Sequence, residues 1–276
     1  MTYPQVSIII TTKNESDVLE RLLRSITNQS YMHIELIVVD NNSTDNTLAI
    51  AKKFTKNIYT KGPERSTQRN YGAKKAKGDY FMFLDADMEL SPKVIEECVD
   101  KITKNKKIGA VTVPEKSKVK LFWEKVKAHE RSFYNEIGDT TTDASRFFSR
   151  KAFTDVGGYD ESITGPEDWD LPENVIKRGY KTARIKSVIY HYERVPSLMQ
   201  LGKKKYYYAL TSHRYLKKHN ISPVSAKTIY FLRPVFYKDW KRLLGHPVLS
   251  SAMFLMFTVE LTSGGVGFLV GKFKKL

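Results

Sequence analysis

Gly78-Asp79-Tyr80-Phe81-Met82-Phe83-Leu84-Asp85-Ala86-Asp87-Met88 is the stretch on which the reading of this chain turns. A short apolar, aromatic-rich run ends in two carboxylates with one residue between them. Tyr80 to Leu84 is too short for a helix and predicts a buried strand. Asp85 and Asp87 then stand where the strand leaves the sheet, the edge at which open α/β sheets bind ligands. Two hard oxygen donors at that edge suit Mg²⁺ or Mn²⁺ carrying a phosphorylated ligand. Taken alone, Asp-x-Asp reads more readily as a solvated acidic turn. The surrounding chain argues otherwise.

Upstream, Val6 to Ile10 and Glu35 to Val39 predict apolar strands, and Asn57 to Thr60 a weak one. Asp17 to Thr27 carries Val18, Leu19, Leu22, Leu23 and Ile26 at helical spacing. Thr47 to Phe54 and Ser66 to Lys77 continue as helices, the second stopped by Gly78. The order β-α-β-α-β-α-β predicts an α/β fold with a largely parallel sheet. Downstream, a helix runs from Ser91-Pro92 to about Lys104, followed by a strand from Ile108 to Val113. Glu115 to Ser149 is harder to read, apart from a basic amphipathic helix over Val119 to Asn135. Lys151 to Val156 and Trp169 to Arg178 are helical, each stopped by glycine, and Lys181 to Tyr190 is a closing strand.

A hydrophobic content of 41% over 276 residues supports a substantial core. The single cysteine, Cys98, excludes a disulfide framework and a cysteine zinc site, and fits a reducing compartment. Met1 to Gln5 shows no basic-then-apolar pattern, so no signal peptide is expected. Residues 1–176 hold 26 Lys+Arg against 27 Asp+Glu, whereas residues 177–276 hold 20 against 3. The whole basic excess therefore lies in the tail, which implies a polyanionic partner, either nucleic acid or an anionic membrane surface. The expected division is residues 1–196 and a basic, aromatic helical region over 197–276.

In that tail, Ser197 to His219 is a basic helix holding Lys203-Lys204-Lys205-Tyr206-Tyr207-Tyr208, and Ile229 to Leu244 is a second basic aromatic segment. Val248 to Val270 is long enough to span a bilayer and has Glu260 as its one charge. Serine, threonine and glycine dilute it. Lys238, Lys241 and Arg242 precede it and Lys272, Lys274 and Lys275 follow, so the positive-inside bias disfavours a crossing. A re-entrant or in-plane helix pair on the cytosolic membrane face is the expectation. A single span and a buried soluble helix are the alternatives.

Several motifs then carry a resemblance. Ser7-Ile8-Ile9-Ile10-Thr11-Thr12-Lys13-Asn14-Glu15, Val38-Val39-Asp40-Asn41-Asn42-Ser43-Thr44-Asp45, Arg69-Asn70-Tyr71-Gly72-Ala73, Leu84-Asp85-Ala86-Asp87, Gly157-Gly158-Tyr159-Asp160 and Glu167-Asp168-Trp169-Asp170 stand in order. Over residues 4–195 the chain resembles family 2 glycosyltransferases. That resemblance implies a GT-A fold (a Rossmann-like, mostly parallel sheet flanked by helices). It also implies a nucleotide-sugar donor, a divalent metal and inversion at the anomeric carbon.

By resemblance, Asp40 accepts from a uracil N–H, and Thr12, Asn14 and Glu15 frame the base and ribose. Asp40 is alternatively a helix cap, and the other three turn formers. Arg69 resembles a donor-pairing residue able to hold a phosphate bidentately, or else it lies on a solvated helix face. Asp85 would contact the ribose, Asp87 would bind Mn²⁺ or Mg²⁺, and His191 would be a further ligand or a structural histidine. Arg194 is a candidate phosphate contact. Asp168 resembles the base that deprotonates the acceptor hydroxyl. Glu167 would orient it or raise its pKa by like-charge proximity, although both also suit a helix start. Trp169 suits a sugar face or a core.

Together these imply a UDP-sugar donor and a membrane-proximal saccharide or lipid-linked acceptor, in polysaccharide or glycolipid synthesis at the cytoplasmic membrane face. A polyprenyl phosphate is the alternative acceptor. No equivalent of the processive relatives' Gln-x-x-Arg-Trp is visible, since Leu201-Gly202 follow Gln200, so single addition is expected. The competing class is a nucleic-acid-binding protein using the basic aromatic tail. It leaves the ordered carboxylates unexplained, so no nucleic acid partner is expected.

Overall fold

The computed structural model describes residues 3–135, 138 and 143–274. Met1, in the N-terminal reading, and Lys275, in the basic C-terminal flank, lie outside the described residues. In chain order the elements are β1 (Val6–Thr12), α1 (Leu19–Thr27), β2 (Ile34–Asp40), α2 (Thr47–Ala51), β3 (Ile58–Thr60), α3 (Arg65–Lys75), β4 (Tyr80–Asp85), β5 (Met88–Leu90), α4 (Val94–Lys104), β6 (Ile108–Thr112), β7 (Glu115–Lys118) and α5 (Phe122–Ser132). They continue with β8 (Ser145–Ser149), α6 (Arg150–Asp155), α7 (Glu167–Lys177), β9 (Lys181–Arg184), β10 (Ile189–Tyr192), α8 (Leu198–Lys218), a 3-10 turn (Tyr230–Leu232), α9 (Pro234–Lys238), α10 (Trp240–Gly245) and α11 (Pro247–Phe273). The chain forms two compact units: residues 1–115, 144–161 and 167–191, and residues 116–143, 162–166 and 192–276.

The first unit is built on a seven-stranded sheet in the order β3-β2-β1-β4-β8-β6-β9. β1 is buried along its whole length, and its middle, Ile8 to Ile10, is continuously apolar rather than alternating. Val6, Ile8 and Ile10 pack on one face with Leu19, Leu22, Leu23 and Ile26 of α1. Ile9 packs on the other face with Ala73, Phe81, Phe83 and Phe148. Each such fully buried side chain contributes about 1.5–3 kcal/mol relative to exposure.

Two features depart from the sequence reading. β8 runs antiparallel between β4 and β6. It falls in the stretch that shows no clear pattern, because a five-residue strand buried on both faces carries no periodicity. The single closing strand, Lys181 to Tyr190, is instead two. β9 pairs with β6 in the main sheet, and β10 pairs antiparallel with β5. The break between them is pinned by Glu97, whose carboxylate accepts from the backbone N–H of Lys186 and Ser187 and from the Ser187 hydroxyl.

The second unit is helical. Its core is Val126, Phe133, Val195, Leu201, Phe236, Met253, Met256 and Phe257. The expected helix pair over Val248 to Val270 is a single helix of 27 residues, α11. Its glycines do not break it. Gly267 and Gly271 lie against the Tyr206 and Leu210 carbonyls of α8, where any Cβ would overlap, so they permit close approach of the two helices. By length and composition α11 is able to cross a membrane. Its one acidic residue, Glu260, is buried between Lys127 (3.4 Å) and Lys205 (3.3 Å). Lys127 also meets Glu130 at 2.6 Å, and Tyr134 donates to Glu130.

Candidate active site

The sheet register assembles the first part of the site. β1 lies between β2 and β4, with Thr12 opposite Asp40 and Thr11 opposite Asp85. Strand order reverses at this point, which is where open α/β sheets leave a crevice beyond their carboxyl ends. Asp40 is fully buried and accepts from the Thr12 hydroxyl (2.7 Å), the Ser43 N–H (2.7 Å) and the Ser43 hydroxyl (2.5 Å). It closes the loop after β2 and does not cap α2, whose N-cap residue is Asn46. Asn14, at φ 55°, accepts from the Thr44 N–H, and the Glu15 N–H donates to Thr47. Thr12, Asn14, Glu15 and Asp40 are thus brought together in two interlaced loops. Gln68 of α3 ties them to the sheet by donating to the Thr12 and Val39 carbonyls.

The second part comes from α3 and α7. Arg65 and Arg69 are four residues apart and share one face of α3. Glu167 and Asp168 are the first two residues of α7, so the helix-start reading holds for both. Arg65 donates to Glu167 at 2.7 Å, and Arg69 donates to Asp168 at 2.6 Å and to Asp85 at 2.9 Å. Arg69 is completely buried, which removes the solvated-face reading. Its guanidinium lies over the Tyr159 ring, 5.0 Å from the centroid. A buried guanidinium is tolerable only with such partners.

Arg146, from β8, completes the network and was not singled out in the sequence, because its strand was not legible. It donates to Glu115 (3.0 Å) and Asp85 (3.4 Å) and lies 3.5 Å from Asp168. These cations overturn one expectation. Burial alone would raise the Asp168 carboxyl, but Arg69 and Arg146 outweigh it and hold its pKa below the usual carboxylate value. The like charge that opposes them is Asp85, while Glu167 is engaged by Arg65. Asp85 is held well below the carboxylate range by the same balance, burial against Arg69 and Arg146.

The third part depends on β10. His191 lies within this strand and not after it. It pairs with Met88 of β5, next to Asp87. Its Nε2 is 3.5 Å from Asp87 Oδ1, and its Nδ1 is 3.1 Å from Glu115 Oε2. Among the described residues, no group of three His, Cys, Asp or Glu side chains forms a metal set. The pair nevertheless fits a hard divalent cation. One ion at about 2.1 Å from each donor spans that separation, and Mg²⁺-type ions keep further positions for water and substrate phosphates.

Arg194 belongs to the second unit and is exposed. Trp169 is half-buried on α7. The missed residues Arg65, Arg146 and Glu115 left one readable signal. Arg65 and Arg69, at i and i+4 on one helix face, match the two acids Glu167 and Asp168 in charge.

A mostly parallel sheet with carboxylates at its switch point defines a GT-A fold. The chain belongs to glycosyl transferase family 2, whose model matches residues 7–157. Among solved structures, it superposes on a mannosyltransferase from Pyrobaculum calidifontis in complex with GDP-Man and Mn²⁺, with a TM-score of 0.63 and 18% identity over 99% of this chain and 87% of that one. It also superposes on residues 1–349 of S. aureus TarS in complex with UDP-GlcNAc, with a TM-score of 0.57 and 16% identity over 98% of this chain and 92% of that one. Among curated proteins, it is 35% identical over 97 residues to a GalNAc(5)-diNAcBac-PP-undecaprenol beta-1,3-glucosyltransferase of Campylobacter jejuni, covering 32% of this chain and 31% of that one. It spans 62% of the length of an uncharacterized glycosyltransferase of Rickettsia typhi, at 28% identity over 69% of this chain.

Proposed function

We propose that the protein transfers a sugar from a UDP-sugar to a membrane-proximal, lipid-linked saccharide acceptor, with inversion and with a divalent metal. One observation carries this reading. Asp87, His191, Glu115, Arg146, Asp85, Arg69 and Asp168 form one continuous chain of contacts within a single unit. The residues assigned to the leaving group and to the acceptor therefore belong to one site.

The loop pair around Asp40 receives the nucleoside. Asp40 is acceptor-only, so a base offering an N–H is favoured over one that leaves the buried carboxylate facing another acceptor. Asp87 and His191 hold the cation, which when bound supplies charge neutralisation for a leaving diphosphate. Asp85 faces the ribose. Asp168 removes the acceptor hydroxyl proton. Its arginine partners keep it ionised and oriented until an acceptor engages it. The UDP-sugar complex of a structural neighbour supports the donor class, and the lipid-linked substrate in a relative's name supports the acceptor class.

The second unit supports the membrane side. Tyr237, Trp240, Leu244 and Val248 are exposed along α9, α10 and the start of α11, interleaved with the exposed Lys238 and Lys241. Amphipathic aromatics beside lysines suit the headgroup layer of an anionic bilayer. On this reading residues 1–196 are catalytic and 197–276 attach the enzyme peripherally at the cytoplasmic face.

The test is a screen of nucleotide sugars for Mn²⁺-dependent hydrolysis and for thermal stabilisation, combined with two variants. Asp87→Ala should lose metal-dependent nucleotide affinity. Asp168→Asn should keep nucleotide binding and lose transfer. Full transfer by both variants would refute the assignment.

A further inference from the structure

We propose that Glu115 is a positioning residue that sets the tautomer of His191 and thereby makes its Nε2 a metal donor. This rests on the reading of Asp87 and His191 as the metal pair.

Glu115 sits at the start of β7 with its two carboxylate oxygens committed in different directions. Oε1 accepts from Nε and Nη2 of Arg146, at 3.2 and 3.0 Å. Oε2 faces His191 Nδ1 at 3.1 Å. A carboxylate paired to a guanidinium is acceptor-only, so the ring proton at this contact sits on Nδ1. In the neutral ring, Nε2 then carries the lone pair, and it is Nε2 that lies 3.5 Å from Asp87. A histidine that donates one ring N–H to a carboxylate while the other nitrogen faces the metal has its tautomer and orientation set together.

The division of Glu115 between two partners makes the isosteric variant informative. In Glu115→Gln the side-chain oxygen must face Arg146, because a guanidinium only donates. The amide NH₂ is then turned toward His191 Nδ1 and donates to it. The neutral ring is forced to carry its proton on Nε2, where it blocks coordination. Glu115→Ala removes the contact without imposing the wrong tautomer. A packing role predicts that alanine is the more harmful change, whereas a tautomer role predicts glutamine.

The experiment uses the full chain with ¹⁵N-labelled histidine, free of metal, well above the ordinary histidine pKa of ~6.5. His191 is assigned by the resonance lost in His191→Asn. The wild type should show Nδ1 protonated, and Glu115→Gln should show Nε2 protonated. Mn²⁺ binding to the UDP-saturated protein, read by the EPR signal of free Mn²⁺, should weaken about 10–100-fold in Glu115→Gln and less in Glu115→Ala. Urea midpoints of the two variants check folding.

Wild-type tautomer and Mn²⁺ affinity in Glu115→Gln, with affinity lost in His191→Asn, would overturn the role of Glu115 alone. Unchanged Mn²⁺ affinity in His191→Asn would overturn the metal reading of His191, and this inference with it.

Discussion

Both units bury ionic networks, yet they open them to the surface differently. In the first unit's network, Arg65, Arg69 and Arg146 pair with Asp85, Glu115, Glu167 and Asp168, and His191 lies between Asp87 and Glu115. Asp85, Asp87 and Asp168 keep 18–21% of their side-chain surface open. In the second unit, Lys127 and Lys205 meet Glu130 and Glu260, whose side chains are only 1% and 4% exposed. Burial drives the lysines toward neutrality, but Glu130 and Glu260 outweigh it for Lys127, and Glu260 and Tyr230 do so for Lys205, so both pKa values are raised. That cluster is closed on itself and serves packing of α5, α8 and α11. A buried ion network is therefore no marker of catalysis by itself. A paired, pKa-shifted charge that still reaches the surface is the better one.

The largest expected effect tests that contrast directly. Asp168→Asn should lower the transfer rate by about 10²–10⁴ with folding retained. Glu260→Gln should leave turnover within twofold while lowering the urea midpoint. The reverse outcome, read by steady-state rates and urea titrations on both variants, would break the comparison.

Next in size is stability. Lys127→Met takes the 2.6 Å partner from Glu130, whose side chain is 1% exposed, and should cost about 3–5 kcal/mol. Arg69→Met should cost less, because Arg146 still lies 3.4 Å from Asp85 and 3.5 Å from Asp168 and both keep some open surface. Chemical denaturation followed by tryptophan fluorescence ranks the two.

A smaller and sharper difference concerns pH. The depressed pKa values of Asp85 and Asp168 give the first unit stability that is complete above the unfolded carboxylate value of ~3.9 and lost only as pH falls below it. In the second unit, burial, His246 and Arg242 push His129 down to about 4. That stability is complete above ~6.5 and drains as pH falls toward 4. His129→Gln should flatten the stability profile between those values by about 2 kcal/mol. A slope unchanged by the substitution would show that another group governs it.

The smallest expected effect is at the surface. Trp240→Ser should reduce sedimentation with phosphatidylglycerol vesicles a few-fold without changing hydrolysis of the donor. Equal binding to neutral phosphatidylcholine vesicles by the wild type would remove the anionic-membrane reading.

Much of the fold was legible because local chemistry decides it. β1, β2, β4, α1 and α3 sit where the sequence pattern places them, although α3 ends at Lys75, before Gly78. Asp40, Asp85 and Asp87 were visible because polar residues follow abruptly on apolar strands, and Arg69 and Asp168 through the motifs that carry the family resemblance. β8 and β10 were not legible. A strand with both faces buried has no alternation, and the break at Ile185 to Val188 depends on Glu97, some ninety residues upstream. Arg146 and Glu115 were invisible for the same reason, since each acquires its role from partners far along the chain. Over Val248 to Val270 serine, threonine and glycine dilute the apolar run and both flanks are basic, which is why a helix pair was expected. Packed against α8, Gly267 and Gly271 are instead what allows the contact.

The sequence alone determined the α/β class, the carboxylates at strand ends and the concentration of positive charge in the last hundred residues, because each follows from composition and short-range periodicity. Only the tertiary structure decided that Arg69 and Arg146 hold Asp168 down, that β5 and β10 bring His191 to Asp87, and that Glu115 joins these two halves. Ionisation and tautomer are set by burial and by neighbours within a few ångströms, and those neighbours meet only when distant segments pack together.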